Sequence, residues 1–343
     1  MTKHVRSVGI AGLGMYVPAR VMTNHDLERL VDTSDDWIVT RTGIRERRIA
    51  AEDQATSDLA LPAAREALEV AGVRADSDLD LIIVATCTGD MASFPATASL
   101  LQEQLGARRA AAFDVAAVCS GFVYALEVGA QFVATGAYEN VLVVGAETMS
   151  KVLDWSDRTT CILFGDGAGA AVLRACADGE GILGSVLGSD GSGACLLNVP
   201  AGGSRLPLTP ALIEQKQQYV MMKGREVFRF AVEIMGEAAV QALDTAGLTP
   251  ADVDLFIPHQ ANIRIIDAAA RRLNLPREKV FVNVDRYGNT SAASVPMALY
   301  EAWRENRIRR GSVVVTVGFG AGLTWGANVI RWGDLDPNGG TAR

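Results

Sequence analysis

The strongest constraint on how this chain can fold is that its order of local patterns occurs twice. In the first half, Glu66-Ala-Leu-Glu-Val-Ala-Gly72-Val is followed by Leu79-Asp-Leu-Ile-Ile-Val84. In the second, Gln241-Ala-Leu-Asp-Thr-Ala-Gly247-Leu leads through Thr249-Pro250 into Val253-Asp-Leu-Phe-Ile257. Each copy predicts an alanine-rich helix closed by glycine, then a turn, then a β-branched run short enough to be a buried strand. Farther on, Phe113-Asp-Val115 precedes a small-residue helix and the strand Val141-Leu-Val-Val-Gly145, while Val282-Asn-Val284 precedes a helix over 291–306 and a strand over 313–317. A repeat spanning half the chain predicts an α/β protein of two βαβ-rich halves, 1–176 and 177–343, with parallel sheets under covering helices. Residues 177–220, rich in Gly, Pro and Leu, read as an insertion between the halves, either beside a substrate entrance or as a plain surface linker.

Charge narrows the function classes. With 32 Lys+Arg against 40 Asp+Glu, the net charge of −8 argues against nucleic-acid binding, which needs a basic footprint to displace phosphate counterions. Five cysteines, at 87, 119, 161, 176 and 195, form no close pair and leave one over. That arithmetic suits a reducing, cytoplasmic compartment rather than a secreted disulfide framework. Lys3 and Arg6 ahead of the uncharged 7–19 stretch imitate a signal peptide, but Gly9, Gly12, Gly14 and Pro18 interrupt it. Uncharged residues 312–330 are long enough to span a bilayer, yet Gly318, Gly320, Gly322 and Gly326 punctuate them, so a strand, a glycine turn and a second strand are predicted rather than a membrane segment. Residues 334–343 are polar without pattern and are expected to fray.

Cys119, in Phe113-Asp-Val-Ala-Ala-Val-Cys119-Ser-Gly-Phe122, falls where a short strand meets a helix that is apolar nearly all round. A thiol at a helix N-terminus meets unpaired amides and the positive end of the helix dipole, which favours the thiolate. The residue reads equally as a nucleophile or as a small buried hydrophobe. Only His4, His25 and His259 are available for imidazole chemistry. His259, in Phe256-Ile-Pro258-His259-Gln-Ala-Asn262, follows a predicted strand at the end where open α/β sheets bind ligands, although a hydrogen-bonded structural histidine would look the same. Asn289, in Arg286-Tyr-Gly-Asn289-Thr-Ser-Ala-Ala-Ser294, occupies nearly the place in the second copy that Cys119 has in the first. No His/Cys/Asp/Glu group shows metal-ligand spacing. Gly12-Leu-Gly14 lacks the third glycine of a dinucleotide loop, and Gly165-Asp-Gly167-Ala-Gly169 lies between two β-branched runs, where glycine permits close backbone approach.

Taken together, Val-Cys119-Ser-Gly-Phe, Pro-His259-Gln-Ala-Asn and Gly-Asn289-Thr-Ser-Ala-Ala-Ser resemble the motifs of the β-ketoacyl-acyl-carrier-protein synthase III family. Also similar are Trp37-Ile-Val-Thr-Arg41-Thr-Gly-Ile-Arg45, Leu163-Phe-Gly-Asp-Gly-Ala-Gly169 and Gly318-Phe-Gly-Ala-Gly-Leu-Thr-Trp-Gly326. The resemblance runs from about residue 5 to 333 and implies a thiolase-like fold, two similar five-stranded halves in a five-layer αβαβα arrangement. It implies a priming condensing enzyme that joins an acyl group from acetyl-CoA or another short acyl-CoA to malonyl-acyl-carrier protein with loss of CO2, with no cofactor or metal, as a homodimer. Cys119 would be the acylated nucleophile, with His259 and Asn289 the pair that handles the malonyl thioester. Backbone amides of Cys119 and Ala321 would form the oxyanion hole, Ala321 standing where many relatives carry glycine. Elongating condensing enzymes use two histidines and thiolases a late second cysteine, and neither pattern is present.

The resemblance also assigns recognition surfaces. Trp37, Arg41 and Arg158 match positions that hold the adenine and phosphates of coenzyme A, chemistry suited to an indole and guanidinium groups. Carrier-protein docking falls on Gln260, Ala261, Asn262 and Ile263 and on the helix after them, where Arg264, Arg271 and Arg272 share one face and Ile263, Ile266 and Leu273 another. Phe94, Leu163, Leu197 and Val220 match the lining of the acyl pocket. An enzyme of the same fold diverted to secondary metabolism remains an alternative, with a cysteine hydrolase or a non-catalytic binding module more distant.

Overall fold

Both repeat helices stop at their predicted glycines: Gly72 and Gly247 adopt left-handed φ of +64° and +67°, a conformation that side chains disfavour. A computed structural model describes residues 5–335. Lys3, His4 and 336–343 lie outside the described residues. The two tail residues inside them are held, since Asp334 pairs with Arg310 at 2.7 Å and the Leu335 carbonyl accepts from Trp303 Nε1 at 3.1 Å.

The first half contains β1 (Val8–Tyr16), α1 (Asp35–Thr42), α2 (Thr56–Ala71), β2 (Leu81–Ala85), α3 (Thr97–Leu105), β3 (Ala111–Val115), α4 (Gly121–Ala134), β4 (Val141–Thr148) and β5 (Asp166–Ala175). The second contains β6 (Gly181–Ser189), α5 (Gly224–Thr245), β7 (Leu255–Pro258), α6 (Ile263–Arg272), α7 (Ser294–Arg304), β8 (Val313–Gly320) and β9 (Thr324–Arg331). Their sheets run β1-β5-β4-β2-β3 and β7-β8-β9-β6.

Neither sheet is purely parallel, which corrects the sequence expectation. Strands β3, β2 and β4 are parallel because helices carry the chain across, whereas β4 to β5 and β8 to β9 return without a crossover helix and pair antiparallel. The uncharged 312–330 run is that β8–β9 hairpin. In the second half Val282-Asn-Val284, the counterpart of Phe113-Asp-Val115 in β3, is not a strand: an isolated Phe256–Val280 bridge precedes it, and Val284 opens a short helical turn. Gln260 completes the edge in its place: its Nε2 donates to the carbonyls of Pro258 (2.7 Å) and Phe281 (3.3 Å), and its Oε1 accepts from Asn283 N (2.9 Å).

Five layers follow from which side chains are buried together. Helices α2 and α3 cover one face of the first sheet, around Ile82, Val84, Leu142 and Val144. Its other face meets α4 and α7, which share a core with Leu255, Ile257 and Val314 of the second sheet. The outer face of that sheet, including Phe256, Val315 and Val329, is covered by α5 and α6. The expected 177–220 insertion is narrower than predicted. Residues 181–189 form edge strand β6 against β9, hidden in the sequence because Gly181, Gly184 and Gly188 dilute its apolar alternation. The remainder carries a short helix, Pro210–Glu214, and a small ladder of Leu197–Asn198 with Met221–Met222.

Candidate active site

Cys119 sits in a 3-10 turn, Val118–Ser120, that leads into α4. Val118 holds φ at +46° although it is not glycine, and Ser291 opens the matching turn of the second half at +49°. Such strained residues persist only where the surroundings over-determine them. The matching turns put Ala292, not Asn289, at the place equivalent to Cys119, with Asn289 three residues earlier. The Cys119 turn packs so tightly on β8 that a Cβ at Gly320 would lie 2.7 Å from the Cys119 amide nitrogen. Thr324 joins this turn to the Ala321 turn: its hydroxyl is 3.0 Å from the carbonyls of both Ala117 and Ala321, and Ser120 Oγ lies 2.9 Å away.

The thiol departs from the sequence expectation in its titration. Burial pushes Cys119 up to about 12; Ser291 pulls it down and Glu147 pushes it up by smaller amounts. A helix dipole contributes about 1 kcal/mol or less at an exposed end, whereas full desolvation of a charge shifts a pKa by several units. Desolvation dominates, so the resting group is the thiol.

His259 follows β7, its amide donating to the Val317 carbonyl of β8 at 2.7 Å. Burial lowers its pKa to about 3, so the ring is neutral at physiological pH. Nδ1 lies 2.5 Å from Ser294 Oγ, while Nε2 is buried without a protein partner. With Ser294 donating to Nδ1, the proton resides on Nε2 and is offered to the site. Phe319 meets the ring edge-on, with centroids 5.4 Å apart. Asn289 is anchored by two backbone bonds, its N–H to Leu163 O (2.8 Å) and its carbonyl from Gly165 N (3.1 Å). Its Oδ1 accepts from Ser291 N at 2.8 Å, which leaves the amide NH2 as the outward group. The Cys119 turn packs against the Ser291–Ala293 turn and against β8, so the three residues converge where the halves meet.

The recognition residues divide. Trp37 is half-buried on α1, which is capped by Ser34 and ended by Gly43. The guanidinium carbons of Arg41 and Arg158 lie 4.3 and 5.2 Å from its ring centroid, and Arg158 also donates to the Asp32 carbonyl at 2.7 Å. On α6, Arg264, Arg271 and Arg272 are exposed and Ile266 and Leu273 buried, while Ile263 is half-buried against Gly43. Asn262 caps α6 by accepting from Arg264 N (2.9 Å) and donates to the Arg41 carbonyl (3.0 Å), so the two surfaces adjoin. Gln260 and Ala261 are buried, which takes them off the expected carrier-protein surface; the Gln260 amide is committed to the sheet edge. Leu163, Leu197 and Val220 pack in one cluster with Met149, Leu153 and Phe164. Phe94 does not join them: at 84% exposure it stands out from the chain beside Met91.

Several contributors carried no sequence signal of their own. Ser291, Ser294, Phe319 and Thr324 stand inside quoted motifs without a role of their own, and Glu147 lies outside those motifs and meets partners remote in the chain. Among the described residues, no group of three or more His, Cys, Asp or Glu side chains is arranged to hold a metal ion, and no helix is long and apolar enough to cross a membrane.

Known proteins resemble this chain in sequence and fold. Residues 113–191 match the family described as 3-Oxoacyl-[acyl-carrier-protein (ACP)] synthase III, and residues 243–332 match its C-terminal counterpart. The beta-ketoacyl-[acyl-carrier-protein] synthase III of Symbiobacterium thermophilum is 60% identical over 329 residues, covering 96% of this chain and 99% of its own. Crystal structures of 3-oxoacyl-[acyl-carrier-protein] synthase III from Aquifex aeolicus and of the Thermus thermophilus synthase III superpose with TM-scores of 0.88 and 0.87 at 48% and 52% identity. Each covers 95% of this chain, and the matches take in 100% and 99% of those structures.

Proposed function

The chain belongs to the β-ketoacyl-[acyl-carrier-protein] synthase III family and is an acyltransferase of the priming condensation in fatty-acid synthesis, and from that membership we propose that Cys119, His259 and Asn289 divide the chemistry. In the first step Cys119 Sγ attacks the thioester carbonyl of an acyl-CoA, the acyl group passes to Cys119, and the thiol proton leaves with the coenzyme A sulfur. In the second, malonyl-acyl-carrier protein loses CO2; its electron pair flows into the thioester carbonyl, and the enolate oxygen is held by His259 Nε2–H and the Asn289 amide. The enolate carbon then attacks the acyl carbonyl, whose oxyanion takes the amides of Cys119 and Ala321. Collapse releases the 3-oxoacyl carrier protein and returns Cys119 to the thiol with a proton from solvent. The thioester is its own electron sink, so the reaction needs no cofactor or metal.

The observation that carries this reading is the buried, unpartnered Nε2 of a neutral His259, whose ring bonds Ser294 of the segment that carries Asn289, together with an Asn289 amide whose oxygen is already engaged. Two neutral donors suit an enolate better than a cation would, because an imidazolium would bind the malonyl carboxylate as well and so stabilise the ground state. Assay with acyl-CoA and malonyl carrier protein together, and with each alone, tests it: condensed product requires both. The exposed tip of Met91 and Phe94 supports assembly as a homodimer, since large apolar side chains at such exposure favour cover by a second copy. Five free cysteines support a reducing, cytoplasmic setting.

The α6 arginines are the proposed contact for the acidic carrier protein. Arg264→Glu is expected to raise KM for malonyl carrier protein by about tenfold, and the wild-type value should climb with salt as rim charges are screened. A carboxylate in the first turn of a helix is favourable, so loss of α6 would not explain the effect. KM for acyl-CoA should change far less, although α1 adjoins α6. Equal losses for both substrates would overturn a separate docking face.

A further inference from the structure

Beside Cys119 lies a buried acid that the condensation steps leave unused. Glu147, on β4, is fully enclosed. Its oxygens accept from the Thr86 hydroxyl (3.1 Å), the Cys87 amide (3.1 and 3.2 Å) and thiol (3.3 Å), the Thr88 amide (3.1 Å) and hydroxyl (2.5 Å), and the Ala292 amide (3.4 Å). Burial raises its pKa above the ordinary carboxylate value, and the hydrogen bonds draw it back. A buried carboxyl group is tolerated only with donors of this kind around it.

These donors come from two separate loops. One is the 86–88 segment at the end of β2. The other is the 289–293 turn that carries Asn289 and packs against Cys119. The approach of β4 to that turn is close enough that a Cβ at Gly145 would lie 2.3 Å from the Ala292 carbonyl oxygen. Ser291 Oγ is 3.7 Å from Cys87 Sγ and faces Cys119 and Glu147 as well. The internal repeat adds a second observation. Glu147 and Phe319 are each the last residue but one of matching eight-residue strands, and Phe319 is the side chain that meets the His259 ring.

We propose that Glu147 is a positioning residue for the condensation, joining the 86–88 loop to the Asn289 turn and, through Ser291, orienting the thiol of Cys119. The proposal rests on Cys119 being the nucleophile. Glu147 and Ser291 act on that thiol in opposite directions: the carboxylate disfavours the thiolate and the hydroxyl favours it, both beneath the larger effect of burial. Among the described residues, the site also holds the titratable groups of Cys87, from the end of β2, and neutral His259, from the end of β7.

Two variants separate positioning from simple support of the fold. Glu147→Gln keeps the side-chain shape and removes the charge; Ser291→Gly removes the hydroxyl at a backbone angle that glycine adopts freely. Condensation turnover should fall in both, by about tenfold or more in Glu147→Gln. Iodoacetamide labelling of Cys119 at pH 8 should become about tenfold faster in Glu147→Gln, as for a pKa lowered by about one unit, and slower in Ser291→Gly. Labelling that moves the same way in both variants, or in neither, overturns the proposal, as does wild-type turnover in Glu147→Gln. If Glu147→Gln does not fold, unchanged labelling and turnover in Ser291→Gly overturn it alone. Acyl loading that survives in Cys119→Ala would instead overturn the nucleophile assignment beneath it.

Discussion

Cys119→Ala is expected to abolish acyl loading altogether, so that intact-protein mass spectrometry after incubation with acyl-CoA shows the unmodified mass alone. No partial activity is expected, because the thioester to the enzyme cannot form without the sulfur. The other cysteines are poor substitutes. Cys161 is buried; Cys176 and Cys195 belong to β5's outer end and the 190–222 insertion; and Cys87, though exposed, turns its thiol onto Glu147 at 3.3 Å. Although the residue as a whole is exposed, desolvation of its inward-turned sulfur and the Glu147 charge push the Cys87 thiol well up, so it is a weak nucleophile at neutral pH. Replacing a buried thiol by a methyl group is expected to alter stability by about 1 kcal/mol, and the variant should melt near the wild type. An acyl adduct on the variant would show that Cys119 is not the acceptor.

The second large effect is on decarboxylation. His259→Ala or Asn289→Ala should suppress CO2 release from malonyl carrier protein about 100-fold or more, the usual consequence of removing one oxyanion donor, while loading of Cys119 persists. Asn289→Asp should be at least as damaging. Its Oδ1 can still accept from Ser291 N, but the second oxygen would turn a negative charge toward the developing enolate. The pH dependence carries a sign. Because burial holds His259 near 3, the imidazole is already neutral at pH 5, and CO2 release should show no acidic limb near 6.5 from this ring. Such a limb, lost in His259→Gln, would mean that His259 titrates as an exposed imidazole. Unchanged CO2 release in His259→Ala would remove it from the reaction.

The parts of this protein that were legible in the sequence are those set by near neighbours. Gly72 and Gly247 end their helices because the residue after a helix enters the left-handed region, which is a property of that residue alone. The duplicated order of helix and strand survived in the same way, and with it the junction at which Cys119, His259 and Asn289 meet. Parallel sheets were over-predicted because strand direction depends on whether a crossover helix or a tight return joins two strands, and glycine-diluted β6 did not look like a strand. Gln260 looked like part of a surface motif, yet it bonds the β7 edge to Phe281 and Asn283, an arrangement visible only once a fifth strand is seen to be missing.

By itself, then, the sequence determined the duplicated order of elements, the family and the three side chains proposed to react, because these follow from local patterning and from motifs a few residues long. The tertiary structure alone decided how those side chains are electrically set. The direction of the Cys119 shift reversed from the helix-end expectation because burial, which no segment possesses alone, outweighs the dipole of one helix. Glu147 acquired its place from partners across the molecule, Ala292 among them, and Phe94 stands exposed, apart from the Leu163, Leu197 and Val220 cluster of its own chain. Contacts of that kind join residues distant in sequence, and their energy exists only after the two sheets and the helices between them have closed.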